Sequence, residues 1–150
     1  MTDVSFYHLQ RAGLDRALPK LLERVLDRRL RALLVAGSEE RVEALNTALW
    51  TYDSGSFLPH GSRADGFAAE QPVYLTTDGS DNPNAAQVLV LVDGASHAAL
   101  TGFERVLDVF DGNDPEAVAS ARERWKGLLA AGHALTYWQQ SQTGGWEKRS

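Results

Sequence analysis

Arg122 and Trp125 stand three residues apart in a segment with helical patterning, at the margin of its apolar side. At 100° per residue, Val118, Arg122, Trp125 and Leu129 fall within about 60° of one another. Ala121 and Leu128 widen the apolar side, and Lys126 borders it. A guanidinium beside an aromatic ring at the edge of an apolar surface suits a ligand with both an anion and a hydrophobic group, such as a peptide C-terminus. A plainer arrangement uses the same residues: Trp125 is core and Arg122 reaches past it to water. Both readings stand on the sequence alone.

Other chemistries find less support. The four histidines, His8, His60, His97 and His133, are scattered without the HxxxH or HExxH spacing that brings two imidazoles to one metal, so no metal site is expected. With no cysteine, the chain has no thiol nucleophile, no disulfide and no thiolate zinc site. Ser38, Ser56 and Ser96 lack the GxSxG turn that exposes a nucleophilic serine. Asp93 follows an apolar strand, where catalytic acids often sit, but Asp93-Gly94 is also an ordinary turn. A phosphate loop requires GxxxxGK[ST]; the chain instead has Gly37-Ser38-Glu39-Glu40, with two carboxylates where phosphates would lie. The dinucleotide pattern GxGxxG is absent as well. No cofactor is expected.

The elements that carry these residues are legible from periodicity. Val4 to Leu9 reads as a strand, and Leu14 to Leu30 has apolar residues at helical spacing. Pro19 fits only the first turn of a helix, so the regular helix is expected from about Leu18. Ala32 to Gly37 is a strand buried on both faces, after which Ser38 caps a helix ending at Trp50. Strands follow at Pro72–Thr77, Gln87–Val92 (the central one) and within Phe103–Phe110. Asp114-Pro115-Glu116 opens the helix of Arg122 and Trp125, and Gly132 suits its left-handed end. His133 to Trp138 is a last strand.

This βαβα rhythm predicts a single three-layer α/β domain over residues 1–138. Its central sheet is expected to be mostly parallel or mixed, with helices on both faces, Rossmann-like but without nucleotide motifs. Residues 139–150 are expected to form a polar tail that frays. The net charge of −5 argues against a stand-alone nucleic-acid binder. The absence of cysteine, of a signal-like N-terminus and of a long apolar run predicts a soluble cytoplasmic protein with no membrane partner. Between the second helix and the next strand, Trp50 and Phe57 flank a turn-rich stretch closed by Pro59-His60-Gly61. That aromatic corner is either core or a docking surface.

Taken in order, several segments resemble the chi subunit family of bacterial DNA polymerase III: Phe6-Tyr7, Glu43-Ala44-Leu45 with Ala48-Leu49-Trp50, and Ser56-Phe57-Leu58-Pro59-His60. Pro72-Val73, Phe103 to Phe110, Ala121 to Lys126, and Ala131-Gly132 continue the pattern to Trp138. The resemblance implies a non-catalytic adaptor of the clamp-loader complex that binds the acidic, phenylalanine-ended tail of single-stranded-DNA-binding protein. Contact with DNA would be indirect. By position, Arg122 would hold the tail's terminal carboxylate and Trp125, with Val118 and Lys126 nearby, would line the phenylalanine pocket. Val118 stands where the family can have a lysine, and Trp125 where tyrosine is common. Trp50 and Phe57, on a corner fixed by Pro59 and His60, would face the psi subunit or a helicase partner. The competing class is a small nucleotide-binding or hydrolytic enzyme on an α/β fold.

Overall fold

A computed structural model of the chain describes residues 2–10, 13–51, 61–62, 68–141 and 145–149, excluding the side chains of residues 15, 50, 51 and 68. Strand β1 (Asp3–Leu9) lies inside an eight-stranded sheet and pairs in parallel with β6 (Arg105–Asp111) on one side and β7 (Ala134–Gln140) on the other. The remaining strands are β2 (Ala32–Val35), β3 (Gly61–Ser62), β4 (Val73–Thr76), β5 (Val88–Val92) and β8 (Trp146–Lys148). Their order is β3-β4-β2-β5-β6-β1-β7-β8, parallel throughout except for β8, which runs antiparallel to β7 at the edge. The fold is an open, mostly parallel α/β sheet, and β5 is central as its continuous Val-Leu-Val-Leu-Val run requires.

Period-two alternation divides the core into two layers. Tyr7, Leu9, Leu34, Val90 and Val109 point to one face, where α1 (Leu14–Asp27) and α2 (Glu39–Thr51) cover them with Leu18, Leu22, Val42 and Leu45. Phe6, Leu33, Leu89 and Phe110 point to the other face, under Ala121 of α3 (Pro115–Ala130), with Val118, Trp125 and Leu128 packed beside it. The helices separate because the chain moves from β1 toward β2 and β3, but from β6 across β1 to β7. Right-handed crossovers in opposite directions place helices on opposite faces.

Helix ends follow the local chemistry. Ser38 Oγ accepts the backbone N–H of Arg41 at 3.1 Å, and the Asp114 carboxylate accepts that of Glu116 at 3.0 Å. Gly132, at φ 88°, takes the left-handed turn after α3. Among the described residues no helix is long and apolar enough to cross a membrane.

Two expectations are corrected. Helix α1 begins at Leu14, not near Leu18, so Pro19 lies inside it. The N–H groups of Arg16 and Ala17 both bond the Gly13 carbonyl, so the first turn is closed before the proline. An internal proline costs about 3 kcal/mol. The buried row Leu18, Leu21, Leu22 and Val25 offsets that through packing.

The tail also does not fray where expected. Strand β7 runs on to Gln140, and β8 pairs Trp138 with Lys148 and Gln140 with Trp146. Polar composition concealed the cause, which is aromatic: Trp146 meets Tyr7 edge-on at 5.0 Å, and Trp138 stacks on Tyr7 at 6.5 Å. Trp146→Ala is expected to lower unfolding stability by about 1–3 kcal/mol, the scale for losing a half-buried aromatic. Urea unfolding tests this, and an unchanged midpoint would show that the tail contributes no packing.

Candidate functional site

The sheet face beneath α3 holds a nest of rings. On β1, Phe6 and His8 point to this side; β6 contributes Phe110 in register with His8, and β7 contributes Tyr137 in register with Phe6. Trp125 descends from α3 to meet Phe6 at 5.4 Å and Tyr137 at 5.8 Å, both edge-to-face. His8 meets Phe110 at 5.2 Å and Tyr137 at 5.9 Å, and its Nδ1 lies 2.6 Å from the Tyr137 hydroxyl. Edge-to-face pairs align the positive rim of one ring with the negative face of another, each worth about 0.5–1.5 kcal/mol beyond burial.

Three cations on α3 have different surroundings. Arg124 reaches inward to Asp108, Nε to Oδ2 at 2.7 Å and Nη2 to Oδ1 at 2.9 Å, while Nη1 donates to Ser120 Oγ. Asp108 is only 3% exposed; burial pushes its carboxyl up, against the opposing pull of Arg124. Lys126 reaches Glu123 at 3.5 Å, an exposed pair that contributes little. Arg122 is exposed and has no ion-pair partner among the described residues. Its charge nevertheless acts on both His8 and Tyr137.

The sequence-derived stripe is therefore rotated. The line of contact with the sheet is Val118, Ala121, Trp125 and Leu128, and Arg122 and Leu129 stand exposed. Trp125 packs half-buried against the core while Arg122 is open to water, as the plainer of the two readings has both residues. Trp50 belongs to α2 by its backbone, but its side chain lies outside the described residues, as do Phe57, Pro59 and His60.

Sequence reasoning missed His8, Tyr137 and the Asp108–Arg124 pair. A signal for the pair existed: Asp108 shares an inward register with Val106 and Phe110, where a carboxylate requires a cation. His8 likewise shares the register of Val4 and Phe6, but its partner comes from a strand 129 positions later.

The sheet also offers a place where α/β folds bind ligands. Connections leave β1 and β6 in opposite directions, and a cavity of about 700 Å³ opens at their carboxyl ends. Asp93, Asp111, Asp114 and Glu116 line it. Among the described residues the arginines lining it are already held, Arg41 by Asp93 at 3.0 Å and Arg124 by Asp108. Asp93, at φ 57°, is the turn residue after β5. Glu39, in the first turn of α2, accepts from the Thr77 hydroxyl. Carboxylates thus stand where phosphates would need donors. His97 is structural: it accepts the Ala99 N–H at Nδ1 and faces the Asp81 carbonyl through Nε2. Among the described residues no three His, Cys, Asp or Glu side chains are grouped to hold a metal ion.

Sheet, layers and the ring nest under α3 define a Rossmann-like α/β protein whose crevice, among the described residues, is lined by carboxylates rather than a phosphate cradle. Residues 1–136 match the family described as "DNA polymerase III chi subunit, HolC". A curated relative, the "Probable DNA polymerase III subunit chi" of Rickettsia prowazekii (strain Madrid E), is 33% identical over 110 residues. That alignment covers 73% of this chain and 66% of the relative, just under two thirds of the relative's length. The chain belongs to the DNA polymerase III chi subunit family, a family of accessory subunits in DNA replication.

The ring nest makes stability pH-dependent. Burial, then the Arg122 charge, holds the His8 imidazole below its ordinary value, while Asp111 and a backbone hydrogen bond at Gly112 pull it upward. A histidine kept neutral by folding leaves the unfolded chain the stronger proton binder between the two pKa values. Its contribution is therefore fully present above about pH 6.5 and declines as pH falls toward the folded value. Urea unfolding at pH 7.5 and 5.5 is expected to show a loss that His8→Gln makes smaller. Equal losses in the two proteins would remove His8 as a cause.

Proposed function

We propose that this chain is a non-catalytic adaptor that binds the C-terminal tail of single-stranded-DNA-binding protein and links it to the clamp-loader side of the polymerase. The observation that carries this reading is that exposed Arg122 stands three residues before half-buried Trp125 on the helix that covers a ring nest of Phe6, Tyr137 and His8. One cation and one apolar surface match a peptide that ends in a carboxylate on an aromatic residue. Val118 and Trp125 border the apolar part, and Lys126 adds charge near its rim for the acidic residues upstream. Family membership supports a replisome partner, and the acid-lined crevice supports a role without nucleotide chemistry.

A peptide ending Asp-Asp-Ile-Pro-Phe is expected to bind with a dissociation constant on the order of micromolar, consistent with one ion pair and one buried ring. Arg122→Ala should weaken it about tenfold, the scale of a lost charge-assisted hydrogen bond. Calorimetry decides: absence of binding, or an unchanged constant for the variant, removes the assignment.

The second contact of the bridge is assigned to Trp50, Phe57, Pro59 and His60, facing the psi subunit, an analogous subunit or a helicase. Its support is the run of matching residues around that corner and the family match across it. Trp50→Ala is expected to lose the polymerase-side partner in a pull-down from the source cell while keeping single-stranded-DNA-binding protein. Retention of both partners would show that the corner is not the interface.

A further inference from the structure

The sheet face opposite α3 carries a second charged and aromatic surface, independent of the tail-binding reading. Trp138 and Trp146 both pack against the core beneath α1 and α2, yet each stays half-exposed. Lys148 pairs with Trp138 across β7 and β8 and stands two residues from Trp146, so all three share this face. Two indole rings and an ammonium thus form one edge of the sheet.

Helix α1 supplies a wall beside them. Leu18, Leu21 and Val25 are buried and mark its line toward the sheet. At 100° per residue, Pro19 and Leu26 stand roughly 105–130° to one side of that line, and Lys20, Arg24 and Arg28 roughly 50–135° to the other. Pro19 is buried and Leu26 half-buried, although both are turned well away from the sheet. Helix α2 touches α1 and covers them. Because α2 also touches β3 and β4, at the far end of the sheet, the opposite flank of α1 faces β7 and β8. Lys20, Arg24 and Arg28 are exposed on that flank. Neither they nor Lys148 form an ion pair among the described residues. The acids of the same helix, Glu23 and Asp27, stand on its outer crest, about 150–170° from the line.

Four-residue spacing sets these helix cations about 6 Å apart along the axis, a row suited to a polymer of regularly spaced anions. The indoles beside the row offer flat apolar faces on which free bases stack. We propose that this flank of α1 and the β7–β8 edge bind single-stranded DNA without sequence preference. Its phosphates run along Lys20, Arg24 and Arg28, with Lys148 adding a further contact, and its bases stack against Trp138 and Trp146. The net charge of −5 opposes this only at long range. Counterion release is set by the cations that touch phosphate, and four of them stand here without partners among the described residues.

The test titrates the full chain with a labelled oligothymidylate of about fifteen nucleotides over a range of salt concentrations. Wild type is expected to bind, with log affinity falling against log salt at a slope of about −3, the value for four phosphate contacts. The triple variant Lys20→Ala/Arg24→Ala/Arg28→Ala should bind at least about tenfold more weakly at low salt and lose about 2 of that slope. All three side chains are exposed, so its urea midpoint should match wild type. On wild type, a duplex of the same length should bind at least about tenfold more weakly, since its bases are already stacked on one another. Absence of binding at low salt, or an unaltered slope in the triple variant, would overturn the proposal. Duplex bound as tightly as single strand would overturn it as well. Polyglutamate that competes as well as the oligonucleotide would assign the flank to an acidic protein and equally overturn it.

Discussion

The parallel pairing of β1 between β6 and β7 is the constraint on which the structure depends. It sets His8 beside Phe110 and Phe6 beside Tyr137, joining positions more than a hundred residues apart. Because side chains alternate along a strand, β1 supplies both layers at once: Tyr7 and Leu9 under the first two helices, Phe6 and His8 under the third. A one-residue slip in this register would exchange the two sets and dismantle both cores. The sheet's right-handed connections then send α3 to the face opposite α1 and α2, where it meets the rings.

That arrangement explains why the helix can be at once structural and available. Only Ala121 is fully buried along α3, while Val118, Trp125 and Leu128 are half-covered. Its anchor is polar as well as apolar, since Arg124 grips the buried Asp108 through two short hydrogen bonds. Breaking such a pair from one side would leave an uncompensated charge in the core, a cost of several kcal/mol. The helix is held through Arg124 and Trp125, and Arg122 is left over for the surface.

The acid-lined crevice at the strand ends gives the complementary half of the picture. A Rossmann-like sheet offers a switch point whatever its sequence, but a ligand depends on the residues placed there. Here Asp93 pairs with Arg41 and Asp114 caps α3, so the local charges serve the fold.

The sequence by itself determined what depends on neighbours along the chain. Strand alternation, the Ser38 and Asp114 caps and the left-handed Gly132 are local preferences, and together they were enough for the three-layer class and for setting Arg122 and Trp125 on one helix. Two local rules misled: Pro19 was tolerated inside α1 because buried leucines outweigh it, and the polar tail formed β8 because Trp146 reaches Tyr7. Only the tertiary structure decided strand order, the inward partner of Asp108 and the meeting of His8 with Tyr137. Those contacts join residues 16 and 129 positions apart, and hydrogen bonds across such spans leave no period in a sequence. Which residue of α3 faces the sheet was decided there too, since the buried rings fix the helix's rotation and so turn Trp125 inward and Arg122 out.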